Sequence, residues 1–187
     1  MAARTGMTSL IARWRQLVDD KGTVTWSNDE AQVILDQCRR EFWNEALVPV
    51  SNHALGTATY FVYKAPVGNL EVETSGTTAW HVFASSGTTY GTADYALDGV
   101  TGTLTFSTDQ RGSARYFNGR SYDLYKAAAM GWEQKASLSA SLYDFQADGG
   151  RFSRSQWFDH CMALKAQYEA QASGGLTFSF MVRTDLA

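Results

Sequence analysis

The residues able to do chemistry are few and scattered. Cysteine occurs at Cys38 and Cys161, and histidine at His53, His81 and His160. A thiolate nucleophile needs a base within hydrogen-bond reach, itself oriented by a third group. The one suggestive pair is His160 and Cys161, but chain neighbours on a helix do not face each other. Both cysteines instead sit inside apolar helical patterns, far apart and without a C-x-x-C spacing, and read as reduced core thiols, not zinc ligands. A nucleophile elbow, a phosphate-binding loop, an H-E-x-x-H pair and an EF-hand loop are all missing from the sequence. Asp94, Asp98 and Asp109 crowd one stretch and carry the oxygen ligands that calcium takes, although aspartate is equally an ordinary turn residue. The expectation is a protein that is not an enzyme and uses no cofactor or metal.

Bulk properties narrow the class further. A chain of 187 residues with 44% hydrophobic and 19% charged residues can fold as one domain with an inserted subdomain. Its 13% aromatic content and 16 glycines against two prolines suit β-hairpins with tight turns and large contact surfaces. A formal net charge of -3 without a basic cluster argues against a nucleic-acid reader, whose affinity comes from phosphate neutralisation. No stretch reaches the roughly 20 continuous apolar residues of a membrane span. No secretory leader pattern opens the chain, so synthesis in the cytoplasm and no membrane partner are expected.

The elements that must position these residues follow from periodicity. Residues 7–20 form an apolar face from Leu10, Ile11, Trp14, Leu17 and Val18, with Thr8 or Ser9 able to cap it. Ser27-Asn28-Asp29-Glu30 is a capping box that opens a second helix. That helix carries Ile34, Leu35, Cys38, Phe42, Trp43, Ala46 and Leu47 and should stop at Val48-Pro49. From Gly56 to Asn118 the period changes to alternation, with strands expected at 59–63, 80–84, 95–97, 103–107 and 115–117. Tyr95 to Phe106 reads as a hairpin around Asp98-Gly99 and Thr101-Gly102. A third helix is expected from near Ser121 to about Ser141. Asp148-Gly149-Gly150 reads as a loop, and a second capping box at Ser153 to Gln156 opens a fourth helix ending near Ala172. The tryptophans Trp14, Trp43, Trp132 and Trp157 then fall one per helix, as core anchors.

The expected fold class is therefore α+β: a four-helix body at 1–55 and 119–172, an antiparallel β-rich insertion at 56–118 between helices 2 and 3, and a C-terminal strand-like arm at 173–187. Two groups of residues are candidates for partner contact. Trp80, Phe83, Tyr90 and Tyr95 could form an aromatic platform for protein or glycan, or could fill the insertion's small core. Leu176, Phe178, Phe180, Val182 and Arg183 alternate after the Gly174-Gly175 hinge. Such a segment satisfies its backbone groups either by returning to the insertion's sheet or by adding to a sheet edge of another subunit, and donation to a partner is the expectation.

Small patches along the chain resemble one family. Leu10 to Asp20, Thr25-Trp26-Ser27-Asn28-Asp29-Glu30 and Ile34 to Arg39 are similar to the helix, capped start and second helix of the head-to-tail connector, or adaptor, proteins of tailed bacteriophages. Gly119 to Ala129, Trp132-Glu133, Tyr143-Asp144-Phe145, Asp148-Gly149, Phe152 to Gln156 and Ala166-Gln167-Tyr168 follow the order seen in that family. Tyr95-x-x-Asp98-x-x-x-Gly102-x-x-Thr105-Phe106 resembles a hairpin of phage connector and tail components. The long β insertion departs from the plainest helical adaptors. The resemblance implies a virion protein of the head-tail neck, assembled in the host cytoplasm as a homo-oligomer, a dodecameric ring of about twelve copies beneath the portal. Its arm would dock on the portal protein, Trp80, Phe83, Tyr90 and Tyr95 could face the tail or nozzle protein, and DNA would pass through without sequence-specific binding. In such a ring the mild negative charge multiplies into a field that repels DNA. Two alternatives remain: another neck or tail-completion protein, and a carbohydrate-binding or adhesion module built on the aromatic insertion.

Overall fold

Apolar residues at three- and four-residue spacing wind the start of the chain into helix. The computed structural model describes residues 3–53, 57–72, 81–140, 145–147, 150–152 and 154–172. A short 3-10 turn, Thr5–Met7, leads into α1, Thr8–Leu17. Helix α1 turns Leu10, Ile11 and Trp14 inward, with Val18 just beyond its end, while Leu17 stays partly exposed. The expected threonine cap is absent. Met7 occupies the capping position, and the Thr8 hydroxyl donates to the Thr5 carbonyl oxygen at 2.9 Å.

Helix α2, Asn28–Gln37, opens on the capping box read from the sequence. The Glu30 N–H donates to Ser27 Oγ at 3.3 Å, and the Ser27 N–H donates to Glu30 Oε2 at 2.7 Å. Two of the helix's orphan amides are thereby satisfied. Its end, however, corrects the expectation of a helix to Leu47: Cys38 terminates α2, and Arg39–Asn52 is strand β1. The cause is a β-bulge. Phe42 lies opposite Gly119 but Glu45 lies opposite Phe117, so β1 spends one extra residue between them. The bulge lets Phe42 and Leu47, an odd number of residues apart, both pack into the same core, which imitates a helical spacing. Pro49 is tolerated because β7 begins opposite Leu47 and has run out by that point. One side of β1 is then an edge, where a missing N–H costs no ladder hydrogen bond.

Six more strands complete the sheet: β2 Thr59–Lys64, β3 His81–Ala84, β4 Thr89–Tyr90, β5 Tyr95–Asp98, β6 Thr103–Phe106 and β7 Arg115–Tyr122. Their order is β4-β3-β7-β1-β2-β6-β5, antiparallel throughout and curled into a near-barrel between α2 and α3. The predicted hairpin forms as read, with Tyr95 opposite Phe106 and Asp98 opposite Thr103. Its turn needs glycine at Gly102, whose φ is +69° and where an added Cβ would collide with the Val67 carbonyl oxygen. Strand β7 runs five residues past the predicted Phe117, so the third helix starts later than Ser121.

Helix α3, Leu124–Ala140, and helix α4, Arg154–Ala172, follow. Between them β8, Phe145–Ala147, pairs antiparallel with β9, Gly150–Phe152; of the expected loop Asp148-Gly149-Gly150, Gly150 belongs to β9, and Asp148 and Gly149 lie outside the described residues. The described residues thus form an α+β fold of four helices with the seven-stranded sheet inserted between the second and the third. The expected arm at 173–187 lies outside the described residues.

Two apolar cores result. Met7, Leu10, Trp14, Leu35, Ala127, Trp132 and Cys161 unite the helices, whereas Leu47, Tyr63, Leu70, Val82, Leu104, Phe106 and Phe117 fill the sheet. Among the described residues no helix is long and apolar enough to cross a membrane. The hairpin turn gives a direct test: Gly102→Ala should lower stability by about 2 kcal/mol through the left-handed backbone and the carbonyl clash, read as a shift in the urea midpoint.

Candidate functional site

The sheet leaves the helical body and returns to it at one place, and polar chemistry concentrates there. The Asp123 N–H donates to the Cys38 carbonyl oxygen at 3.1 Å, joining the end of α2 to the start of α3. Beside this closure Arg4 donates from Nε to Glu71 Oε1 at 2.7 Å and from its Nη atoms to both Asp36 carboxylate oxygens at 2.7 and 3.0 Å. The Tyr122 hydroxyl donates to Glu71 Oε2 at 2.7 Å and accepts from Arg4 Nη2 at 2.9 Å. Glu71 is only 1% exposed, so its charge depends on these partners and on Arg120, 3.8 Å away. Burial, reinforced by the Glu71 carboxylate, pushes the Tyr122 phenol well above its ordinary range. The hydrogen bonds of Asp36, followed by those of Glu71, hold the Arg4 guanidinium in its charged form. The cluster is a clasp between segments, since its donors and acceptors face one another instead of an open cavity.

The other chemistry-bearing residues are similarly occupied. Cys38 and Cys161 are both buried, and burial raises both thiols above their ordinary pKa. His160 turns toward the rings of Trp157 and Trp132, at 5.5 and 6.2 Å between centroids. His53 is exposed, and His81 opens β3. Asp94 accepts from the Gly91 N–H at 2.8 Å, Asp98 from Thr101 Oγ1 at 2.6 Å and the Val100 N–H at 3.0 Å, and Asp109 from the Arg111 and Tyr60 N–H groups at 2.9 Å. Those hydrogen bonds, from Thr101 first for Asp98 and from Arg111 first for Asp109, hold the two carboxyls below their usual range. Each aspartate fastens a turn, and among the described residues no group of three acidic, histidine or cysteine side chains could hold a metal.

The predicted aromatic platform is divided. Tyr95 is 8% exposed and, with the half-buried Tyr90, packs on Phe106 inside the sheet, the arrangement expected if these rings fill the insertion's core. Alternation explains it: Phe106 turns into the barrel, and the rings opposite and beside it follow. Phe83 stacks on Tyr116 at 5.9 Å, beside the buried pair Val82 and Phe117 and therefore on the opposite face of the sheet. Trp80, together with Leu176, Phe178, Phe180, Val182 and Arg183, lies outside the described residues.

The surface features that sequence reasoning missed are apolar. Trp43 was expected as a helical core anchor, yet it stands on the β1 bulge and is 72% exposed. Its neighbour Asn44 takes φ 55°, and the Asn44 N–H donates to Asn118 Oδ1 at 2.6 Å, which fixes the bulge. Glu41, His81 and Arg120 share a recess with Trp43 here, and Glu41 bridges Arg39 and Arg120 at 3.2 and 3.4 Å. A second feature is a groove of about 760 Å³ between α2 and α3, lined by Trp26, Val33, Ile34 and Leu138. Val33 is 57% exposed and Leu138 64%, while Asp29 and Glu30 form its charged rim. The Trp26 indole N–H donates to Gln134 Oε1 at 2.9 Å, so the groove's aromatic wall is held in place. A helical wheel drawn over the true extent of α2 puts Asp29, Val33 and Gln37 on one outer stripe, a signal obscured by extending the helix too far.

Two outcomes are expected from this chemistry. Arg4→Met, which strands the buried Glu71 carboxylate, should cost about 3 kcal/mol in urea unfolding, and adding Glu71→Gln should recover part of the loss. Neither cysteine should react with iodoacetamide in the native protein, and both should react once it is unfolded, as counted by intact mass.

Comparison with protein-family models, with curated proteins and with solved structures gives no match to this chain in any of the three.

Proposed function

We propose that this protein is a structural virion subunit, the head-to-tail adaptor of a tailed bacteriophage, repeated as a ring beneath the portal and open to the passage of DNA. The observation that carries this reading is large apolar side chains exposed on two unlike faces of one subunit, Trp43 on the sheet and Val33 with Leu138 between the helices. Contiguous exposed apolar surface marks contact sites, and two unlike contact faces on one chain assemble head to tail, which closes into a ring when the rotation permits. The groups best suited to catalysis support the same reading, because the clasp and the turns engage them. The order of motifs that resembles phage connectors supplies the biological setting, with the portal protein above and a tail or nozzle protein below.

In this proposal the arm residues Leu176, Phe178, Phe180, Val182 and Arg183 anchor the ring by adding a strand to the portal. In this reading the arm serves the contact with the portal and not the fold of its own subunit. Deleting Leu176 to Ala187 should therefore leave a soluble subunit of unchanged circular dichroism that no longer joins portal-bearing heads in an in vitro tail-attachment assay. Heads that still acquire tails would overturn the arm's role, and a subunit captured by a lower neck component instead of the portal would favour a tail-completion protein.

A further inference from the structure

We infer that the β-sheet is a movable unit, hinged where the chain crosses between helices and sheet and latched shut by Arg4 and Arg13. The device belongs to the single subunit and does not require a ring.

Connectivity supplies the hinge. The chain passes from helices to sheet at Cys38-Arg39 and returns at Tyr122-Asp123, and the crossings lie side by side: Arg39 is opposite Tyr122, and the Asp123 N–H donates to the Cys38 carbonyl oxygen. Two adjacent crossings define one axis. Apolar packing does little to oppose rotation about it, because helices pack on helices, strands pack on strands, and no residue belongs to both cores. Tyr122, on the axis itself, is the strand residue that enters the helical core. Units that meet through a small polar seam move relative to one another unless something fastens them.

The fastening is polar. Residues 65–72 form a strap that belongs to the sheet: Ala65, Leu70 and Glu71 donate their N–H groups to the carbonyl oxygens of Gly102, Gly99 and Arg120 at 2.8, 2.7 and 3.0 Å, and Leu70 lies in the sheet core. The helical body grips the other side of this strap. Arg13 of α1 donates to Asn69 Oδ1, Arg4 donates to Glu71, and Gly6 lies so near the Val72 carbonyl oxygen that an added Cβ would collide with it.

These charges can part without being stranded. As the seam opens, Arg4 keeps both carboxylate oxygens of Asp36 on the helical side, and Glu71 keeps Arg120, 3.8 Å away, on the sheet side. Water enters as the sheet leaves, so Glu71 is solvated instead of being buried without its partner, the arrangement that costs most. The seam is therefore a latch, firm when shut and reversible when open. Arg115, at the far end of β7, is seven positions from Tyr122, about 24 Å along the strand, so a small rotation at the hinge becomes a large displacement there. Trp43 rides on the sheet while the α2–α3 groove stays with the helices. The latch thus sets the angle between the two apolar faces.

Spin labels read that angle. Exposed positions on the two units, Gln16→Cys on α1 and Ser86→Cys in the turn after β3, accept the labels, while Cys38 and Cys161 are buried. The pair Arg13→Met and Glu71→Gln removes one charge-assisted hydrogen bond to Asn69 and the charge that draws Arg4, which should shift the closed-to-open equilibrium about 100-fold. An open state populated at about 0.1% would then reach about a tenth of the molecules. Pulsed electron paramagnetic resonance should show one distance in the labelled parent and a second, distinct distance in the variant, with the far-ultraviolet circular dichroism of both alike. Where the pair does not fold, each single substitution is measured with the same labels, with a shift of about tenfold expected. A folded variant whose distances match the parent's would overturn the latch. A parent already divided equally between two distances would show a sheet that nothing fastens, and would overturn it as well.

Discussion

The clasp of Arg4, Asp36, Glu71 and Tyr122 is the interaction on which the rest of the molecule depends. Its members come from the N-terminal segment, α2, the segment after β2 and the end of β7, so one guanidinium ties together four stretches that are distant in sequence. Backbone hydrogen bonds reinforce it, from the Glu71 N–H to the Arg120 carbonyl oxygen at 3.0 Å and from the Tyr122 N–H to that of Asn69 at 3.0 Å. A buried carboxylate such as Glu71 gains little net stability from its ion pair but suffers heavily without it. Its value is therefore positional. Any packing of sheet on helices that separates Glu71 from Arg4 leaves an uncompensated charge, which selects one arrangement from among those that would bury similar apolar area.

That selection matters because the molecule has two cores in place of one. The helical core is rich in alanine along α3, which brings Trp14 and Val18 close: a Cβ added at Gly131 would meet Val18 Cγ1 at 2.8 Å. The sheet core is aromatic, with Phe106 receiving Tyr63, Tyr90 and Tyr95 at 5.2 to 5.9 Å between centroids. Neither core encloses Trp43, Val33 or Leu138, although Trp26 and Ile34 of the helical core form part of the α2–α3 groove's lining. The exposed apolar surface thus falls outside both packed centres, where it is free to meet other molecules at little cost to folding.

How much of this was legible in the sequence depended on whether a local rule had a single solution. The Ser27 to Glu30 capping box and the Tyr95 to Phe106 hairpin were readable because side-chain chemistry at those spacings closes on itself. The end of α2 was not. Phe42, Trp43, Ala46 and Leu47 repeat at helical intervals, and a strand with one inserted residue produces the same repeat; only the presence of β7 and β2 on either side decides between them. The error concealed Trp43, since a tryptophan on a helix is read as core whereas one on a bulge is offered to solvent. The clasp was invisible for a different reason. Arg4 and Glu71 are 67 residues apart, and no local pattern announces a pair that only the fold brings together.

The sheet's two outermost strands carry a further consequence. Strand β4 has two residues and β5 has four, they are consecutive in the chain, and Tyr90 and Tyr95 at their facing ends both rest on Phe106. Among the described residues the near-closure leaves only short runs of open N–H and C=O at either border. Many copies held at the high local concentration of an assembly would otherwise invite ladder-to-ladder fusion and fibre growth. With its rims so abbreviated, this β-structure can be crowded against its own kind and still associate through side chains alone.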